Sequence, residues 1–252
     1  MHLIWHGTAS VEIVSGPDRI LFDPFVMLPG AEIKTEIGEF DGFPEIFVTH
    51  GHFDHIASLP EIVRRNPEVR IYCTSVPLAT LVRKGVDRNN LRELAFGQEI
   101  RTGGFEILPM HGKHARLPRP DMGRLSYVLK SPARGNIPRI LKDHLTCPEK
   151  DQTVFYRIRA EGKTVCLMGS LNLREDASYP AGADLLVLPY NGWEDNYRPA
   201  VRTIRRLKPR KVVLDHFDDA FPPVTMPLDP GPLLERFKGR VRVMKKGEAV
   251  EV

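Results

Sequence analysis

A short apolar run, Glu45-Ile46-Phe47-Val48-Thr49, leads directly into His50-Gly51-His52-Phe53-Asp54-His55. No other feature restricts the fold as much. Three imidazoles and one carboxylate within six residues have to sit at the end of a strand, because chemistry-bearing side chains gather on loops held by a rigid scaffold. The period of two along a strand sends positions 50 and 52 to the same side as the chain leaves the sheet. Imidazole nitrogen and carboxylate oxygen at this spacing suit Zn(II), Mn(II) or Fe(II), whereas Ca(II) and Mg(II) favour all-oxygen sets. The bland alternative has Asp54 capping the next helix and the histidines solvated. It accounts for each residue singly but not for the four together.

The rest of the chain supplies a scaffold of alternating strands and helices. Strand-like runs at His2–Trp5, Ala9–Val14 and Arg19–Asp23, with the turn signal Ser15-Gly16-Pro17-Asp18, read as a hairpin. Further strands are expected at Val69–Cys73, Phe105–Pro109, Val154–Arg159, Thr164–Met168, Leu185–Leu188 and Lys211–Leu214. Helices are expected after Ser58-Leu59-Pro60-Glu61, which has the capping-box form, and at Val76–Lys84 and Pro199–Leu207. Between Ala115 and Gln152 the sequence is rich in proline and basic residues, including Arg116, Arg119, Arg124, Lys130, Arg134, Arg139 and Lys142. It shows no clear period and reads as an insertion. With no linker or low-complexity tract, residues 1–252 are expected to form one domain.

A composition of 42% hydrophobic and 27% charged residues is that of an ordinary globular protein and excludes a disordered chain. No segment approaches the roughly 20 apolar residues of a membrane span, and the start lacks signal-peptide features, so a cytoplasmic location is expected. Cys73, Cys147 and Cys166 fit neither a disulfide framework nor a thiolate metal cluster. A net charge of +4 is compatible with anionic small molecules or nucleic acid and does not choose between them.

The His50-x-His52-x-Asp54-His55 motif after a hydrophobic strand resembles the signature of the metallo-β-lactamase superfamily. Trp5-His6-Gly7-Thr8-Ala9-Ser10, Ile20-Leu21-Phe22-Asp23-Pro24 and Lys208–His216 further resemble its ascorbate-6-phosphate lactonase-like branch. The resemblance implies an α/β fold, a four-layer αββα sandwich with one or two divalent metal ions at one edge of two facing sheets. It implies that His50 and His52 hold the first ion with His111, or with His114 as the fallback, and that Asp54, His55 and His216 hold the second. Asp54 would also orient the attacking water, and Asp23 or Asp215 would fix an imidazole tautomer.

One position departs from the family pattern. Where a bridging aspartate follows Gly169, this chain has Ser170, whose neutral hydroxyl cannot bridge two cations as a carboxylate does. Weaker binding of the second ion is therefore expected, and three outcomes follow: a single bound ion, a dinuclear site completed by hydroxide or by Asn172 or Asp176, or a site that no longer holds metal firmly. A bound cation lowers the pKa of water from ~15.7 toward ~7 and polarises the attacked bond. The implied activity is hydrolysis of an ester-like bond, a phosphodiester or phosphate-bearing lactone, in an anionic small molecule. Tyr190, Asn191 and Trp193, in a loop after a buried strand, are candidate substrate contacts, and the basic insertion is a candidate anion trap. Two alternatives stand beside this reading: a nuclease of the same superfamily, and a metal-poor binding scaffold without turnover.

Overall fold

The computed structural model describes residues 1–115, 122–191, 196–226 and 228–252. Among these, two seven-stranded sheets face each other. The first contains β1 (His2–Gly7), β2 (Ser10–Ser15), β3 (Asp18–Phe22), β4 (Glu45–Phe47), β5 (Arg70–Cys73) and β6 (Leu91–Glu93). The second contains β7 (Ile100–Thr102), β8 (Phe105–His111), β9 (Val154–Ala160), β10 (Lys163–Met168), β11 (Leu185–Pro189), β12 (Lys211–Asp215) and β13 (Val241–Val243). The last strand, β14 (Ala249–Glu251), returns to the first sheet. The spatial orders are β14-β1-β2-β3-β4-β5-β6 and β13-β12-β11-β10-β9-β8-β7. Each sheet is antiparallel at one end and parallel at the other, changing over at the β3–β4 and β10–β11 pairs.

Strand alternation builds three hydrophobic layers from these sheets. In β11, Leu185 and Val187 point to the space between the sheets while Leu186 and Leu188 point outward. In β4, Phe47 faces inward with Trp5, Phe22 and Tyr156, and Ile46 faces outward. The outward face of the first sheet is covered by α1 (Phe53–Ile56), α2 (Leu59–Arg65) and α3 (Ser75–Arg83). Two further helices, α4 (Met122–Lys130) and α5 (Ile137–Thr146), lie between β8 and β9 in sequence. The second sheet is covered by α6 (Tyr197–Leu207) and α7 (Gly231–Arg236). This is the expected αββα sandwich. Each fully buried large apolar side chain contributes about 1.5–3 kcal/mol, so all three layers stabilise the frame that carries the strand ends.

Two local expectations are corrected. The segment 115–152 is not aperiodic: it contains α4, a short 3-10 turn at Pro132–Asn136, and α5. Ser58 does not close a capping box, because its hydroxyl accepts the backbone N–H of Val26 at 2.9 Å instead.

Candidate metal centre

Beyond Phe47 the chain crosses toward the second sheet instead of turning back. Thr49 O accepts from Val154 N at 2.8 Å, Val154 O accepts from Gly169 N at 3.1 Å, and the Tyr156 hydroxyl donates to Val48 O at 2.6 Å. The approach is close enough to require glycine. A Cβ at Gly169 would lie 2.6 Å from that of Thr49, and one at Gly51 would overlap the carbonyl oxygen of Pro148. His52 then caps α1 in an extended conformation, and the single helical turn that follows brings in Asp54 and His55. From the far side, β12 is followed directly by His216, held at φ +58° with its N–H on Thr8 O at 2.8 Å.

These trajectories assemble two clusters. One ligand atom from each of His50, His52 and His114 lies within 4.8 Å of the others, and the same holds for Asp54, His55 and His216. A hydrogen-bonded set behind them fixes the rings. Asp23, at φ +44°, accepts from Thr49 N at 2.8 Å and from the Thr49 hydroxyl at 2.5 Å, and lies 2.8 Å from His55 Nδ1. The Thr49 oxygen is also 3.1 Å from His50 Nδ1 and 3.2 Å from His55 Nδ1. Both rings therefore carry their proton on Nδ1 and keep Nε2 as a lone pair. His50 Nε2 faces His52 Nδ1 at 3.2 Å. His114 is fixed in the same sense by Nδ1 donating to Ala115 O at 2.6 Å. In the second cluster, Asp54 Oδ2 accepts from His216 Nε2 at 3.0 Å and lies 3.5 Å from His55 Nε2.

Burial separates the clusters electrostatically. In the first, desolvation followed by repulsion from neighbouring imidazoles takes His50 well below its ordinary pKa and His52 down to about 3. Burial lowers His114 as well, so all three rings are neutral at pH 7. In the second, burial opposes every charge and is overridden by pairing. His55 and His216 hold the Asp54 carboxyl below the usual range, Asp23 and Asp54 raise His55, and the bond to Asp54 lifts His216 to about 9. Asp215, buried beside them, is pushed up to about 7 by desolvation.

Several expected site residues are placed elsewhere. His111 is still in β8, stacked on Phe96 with centroids 4.5 Å apart and Nε2 at 2.7 Å from Asp151 O. It reaches neither cluster, and His114 takes the corner expected for it. Tyr190 follows the parity of Leu186 and Leu188 into the outer core, whereas Asn191 lines the cavity beside the clusters. Trp193 lies outside the described residues. Asp23 holds an imidazole tautomer as expected. Asp215 does not, since its Oδ1 and His216 Nδ1 are both buried without a hydrogen-bond partner among the described residues. Asp176 is paired with Arg174 at the surface, and Asn172 donates to His114 O at 3.3 Å, so neither replaces the missing carboxylate. The Ser170 hydroxyl lines the cavity and accepts Ala115 N–H at 2.9 Å, pinning the loop that carries His114.

The cavity above the clusters has a volume of about 350 Å³. The insertion contributes to its wall, though not through the cations whose side chains are described. None of Lys130, Arg134, Arg139 and Lys142 lines it, and the side chains of Arg116, Arg119 and Arg124 lie outside the described residues. Ile140, Leu141 and His144 of α5 line it instead, with the His144 ring 5.8 Å from that of His52. Sequence reasoning missed His144. The signal was present: Ile137, Ile140, Leu141, His144 and Leu145 recur at i, i+3, i+4, i+7 and i+8, the stripe of an amphipathic helix.

The donor chemistry fits divalent transition metals. Three neutral imidazoles form one set and two imidazoles with a carboxylate the other, both largely shielded from water and oriented by outer hydrogen bonds, as such ligands require. Fold and clusters together define an αββα domain with two candidate metal sites. Residues 18–217 match the beta-lactamase superfamily domain, and the chain belongs to that family. Among curated proteins, it is 26% identical over 128 residues to a UPF0173 metal-dependent hydrolase of Mesorhizobium japonicum, covering 51% of this chain and about half, 54%, of that protein. A second UPF0173 metal-dependent hydrolase, from Caldivirga maquilingensis, is 24% identical over 262 residues, covering 100% of this chain and 98% of the relative. Among solved structures, Igni18, a metallo hydrolase from the archaeon Ignicoccus hospitalis, superposes with a TM-score of 0.65 at 18% identity over 99% of this chain and 97% of its own. No helix among the described residues is long and apolar enough to cross a membrane.

Proposed function

We propose that this chain hydrolyses an ester-like bond of a small molecule with two divalent ions, Zn(II) or Mn(II), one on His50, His52 and His114 and the other on Asp54, His55 and His216. The observation that carries the reading is that both triads open into one cavity with their donor atoms already oriented. When bound, the ions supply Lewis-acid activation of water and of the scissile bond at neutral pH. The chain's residues do the rest. Thr49 and Asp23 keep the protons of His50 and His55 on Nδ1, and Ala115 O does so for His114. Asp54, the sole carboxylate of the six, orients the attacking water, and Asn191 and Ser170 border the space where substrate sits. Lactones, carboxylic esters and phosphodiesters are all within reach of this chemistry.

The test is metal content of protein purified without chelator and reconstituted with Zn(II) or Mn(II), alongside Asp54→Ala and His216→Ala. Two ions in the wild type and one in each variant are expected. Unchanged stoichiometry in both variants removes these residues from the ligand set, and no ion in the wild type leaves a non-catalytic scaffold.

A further inference from the structure

The cavity has two unlike walls. One is polar, made of the triad imidazoles with Ser170 and Asn191. The other is apolar: Phe53 from α1, Ile140 and Leu141 from α5, and Phe221 and Val224 from the loop after β12. No lysine or arginine lines the cavity among the described residues. Ile140, Phe53 and Phe221 are rooted in the outer core, so this wall is stiff. Leu141 is not rooted there. It is 58% exposed, and it meets the cavity on the same wall. A lone exposed leucine needs no explanation, but one that completes an apolar wall beside a hydrolytic centre does.

Resting on the hydrolase reading above, we propose that this wall is a subsite for an uncharged hydrocarbon arm of the substrate, placed so that the ester-like bond reaches the triads. The preferred substrate then joins a neutral aliphatic chain to the scissile bond, and the anionic group expected from the basic insertion is not what this wall recognises. The volume of about 350 Å³ lies at the small end of ligand pockets, about 300–1,000 Å³, which suits a short to medium chain. His144, the polar residue that α5 adds to the lining, then marks the edge where the arm gives way to the triads.

Binding is measured first with probes that cannot be hydrolysed: 1-butanol, 1-hexanol and 1-octanol titrated calorimetrically into the Zn(II)-loaded full chain. A buried methylene strengthens binding about fourfold, so affinity is expected to climb steeply along the series. Leu141→Asp, at an exposed helix position that the fold tolerates, should flatten the climb to less than about twofold per methylene. Leu145→Asp, on the same helix but 81% exposed and outside the cavity lining, should keep the wild-type slope. No chain-length dependence in the wild type, or equal slopes in wild type and Leu141→Asp, overturns the subsite. The second arm is hydrolysis of 4-nitrophenyl acetate, butyrate, hexanoate and octanoate. Rising kcat/KM that flattens in Leu141→Asp supports the proposal, and stronger binding of 1-octyl phosphate than of 1-octanol to metal-free protein overturns its neutral class. A steep alcohol series without ester turnover upholds the subsite and counts against the hydrolase reading alone.

Discussion

His50, His52 and His114 meet as neutral rings, two of them half-buried, at the open side of the cavity. Asp54, His55 and His216 meet in full burial, with the Asp54 carboxylate already bound to a cationic His216 ring. The first triad offers lone pairs with no proton to displace and no charge to attract an ion. The second offers charge, but a proton occupies the position an ion would take. Two sites with the same number of donors are thus limited by different costs, desolvation of a cation without a counter-charge in one and deprotonation in the other.

The largest effect that can break this contrast is Asp54→Asn. It should abolish tight binding at the second triad, one full equivalent by elemental analysis, and leave the buried His216 ring without its carboxylate partner. Breaking such a pair costs about 3–5 kcal/mol, so the metal-free variant should also melt earlier in calorimetry. Retention of both ions would mean the triads are not the ligand sets.

Next comes pH. His216 sits at about 9, above its ordinary 6.5. Its pairing with Asp54 therefore stabilises the metal-free protein fully below 6.5, and that contribution disappears as pH rises through 9. Ion binding has the opposite sign, because the proton must leave. Affinity of the second triad should rise about tenfold per pH unit toward 9 and then level off. His52, at about 3, carries no proton in this range, so the first triad should stay flat. Competition against a metal indicator between pH 6 and 9 resolves one sloped and one level isotherm; two parallel slopes would erase the distinction.

Smaller changes sharpen it. Asp23→Asn loosens the His55 tautomer and should weaken the second ion about 10–100-fold with less effect on the first. Ser170→Ala frees the Ala115 N–H and with it the His114 loop; loss of one hydrogen bond of about 1 kcal/mol predicts a severalfold drop confined to the first triad. Both are read from the same competition experiment.

Much of this arrangement is legible in the sequence because it is local. The strand that ends in His50 and the helical turn that carries Asp54 and His55 lie within one short motif, and β12 announces the His216 that follows it by an unbroken apolar run. Position along a loop is a different matter. β8 continues through His111, which pairs with Val154, and only Gly112, with its N–H on Thr153 O at 2.8 Å, lets the chain swing so that His114 arrives instead. That swing is set by a strand contributed from forty residues downstream, which no local pattern records. Tyr190 and Asn191 show the reverse case: counting parity from Leu186 and Leu188 would have sent the tyrosine into the core. The α5 stripe went unread because its charges and prolines suggested a solvated loop, although Ile140 packs into the outer core and lines the cavity with Leu141 and His144. The left-handed conformations of Asp23 and His216 leave only a weak trace in residue type, since aspartate and histidine adopt them more often than other non-glycine residues but far less often than glycine.

Thr49 has one hydroxyl proton and two lone pairs, and it uses all of them between the clusters: the proton on Asp23, the lone pairs toward one ring of each triad. An ion that draws electron density from His50 strengthens the Nδ1 donor facing this oxygen, and the oxygen then becomes a poorer acceptor for His55. The two triads consequently form a linked pair in the thermodynamic sense, in which filling either one changes the affinity of the other by the same factor. Thr49→Val, which keeps the shape and removes the shared oxygen, should turn two interdependent binding events into two independent ones.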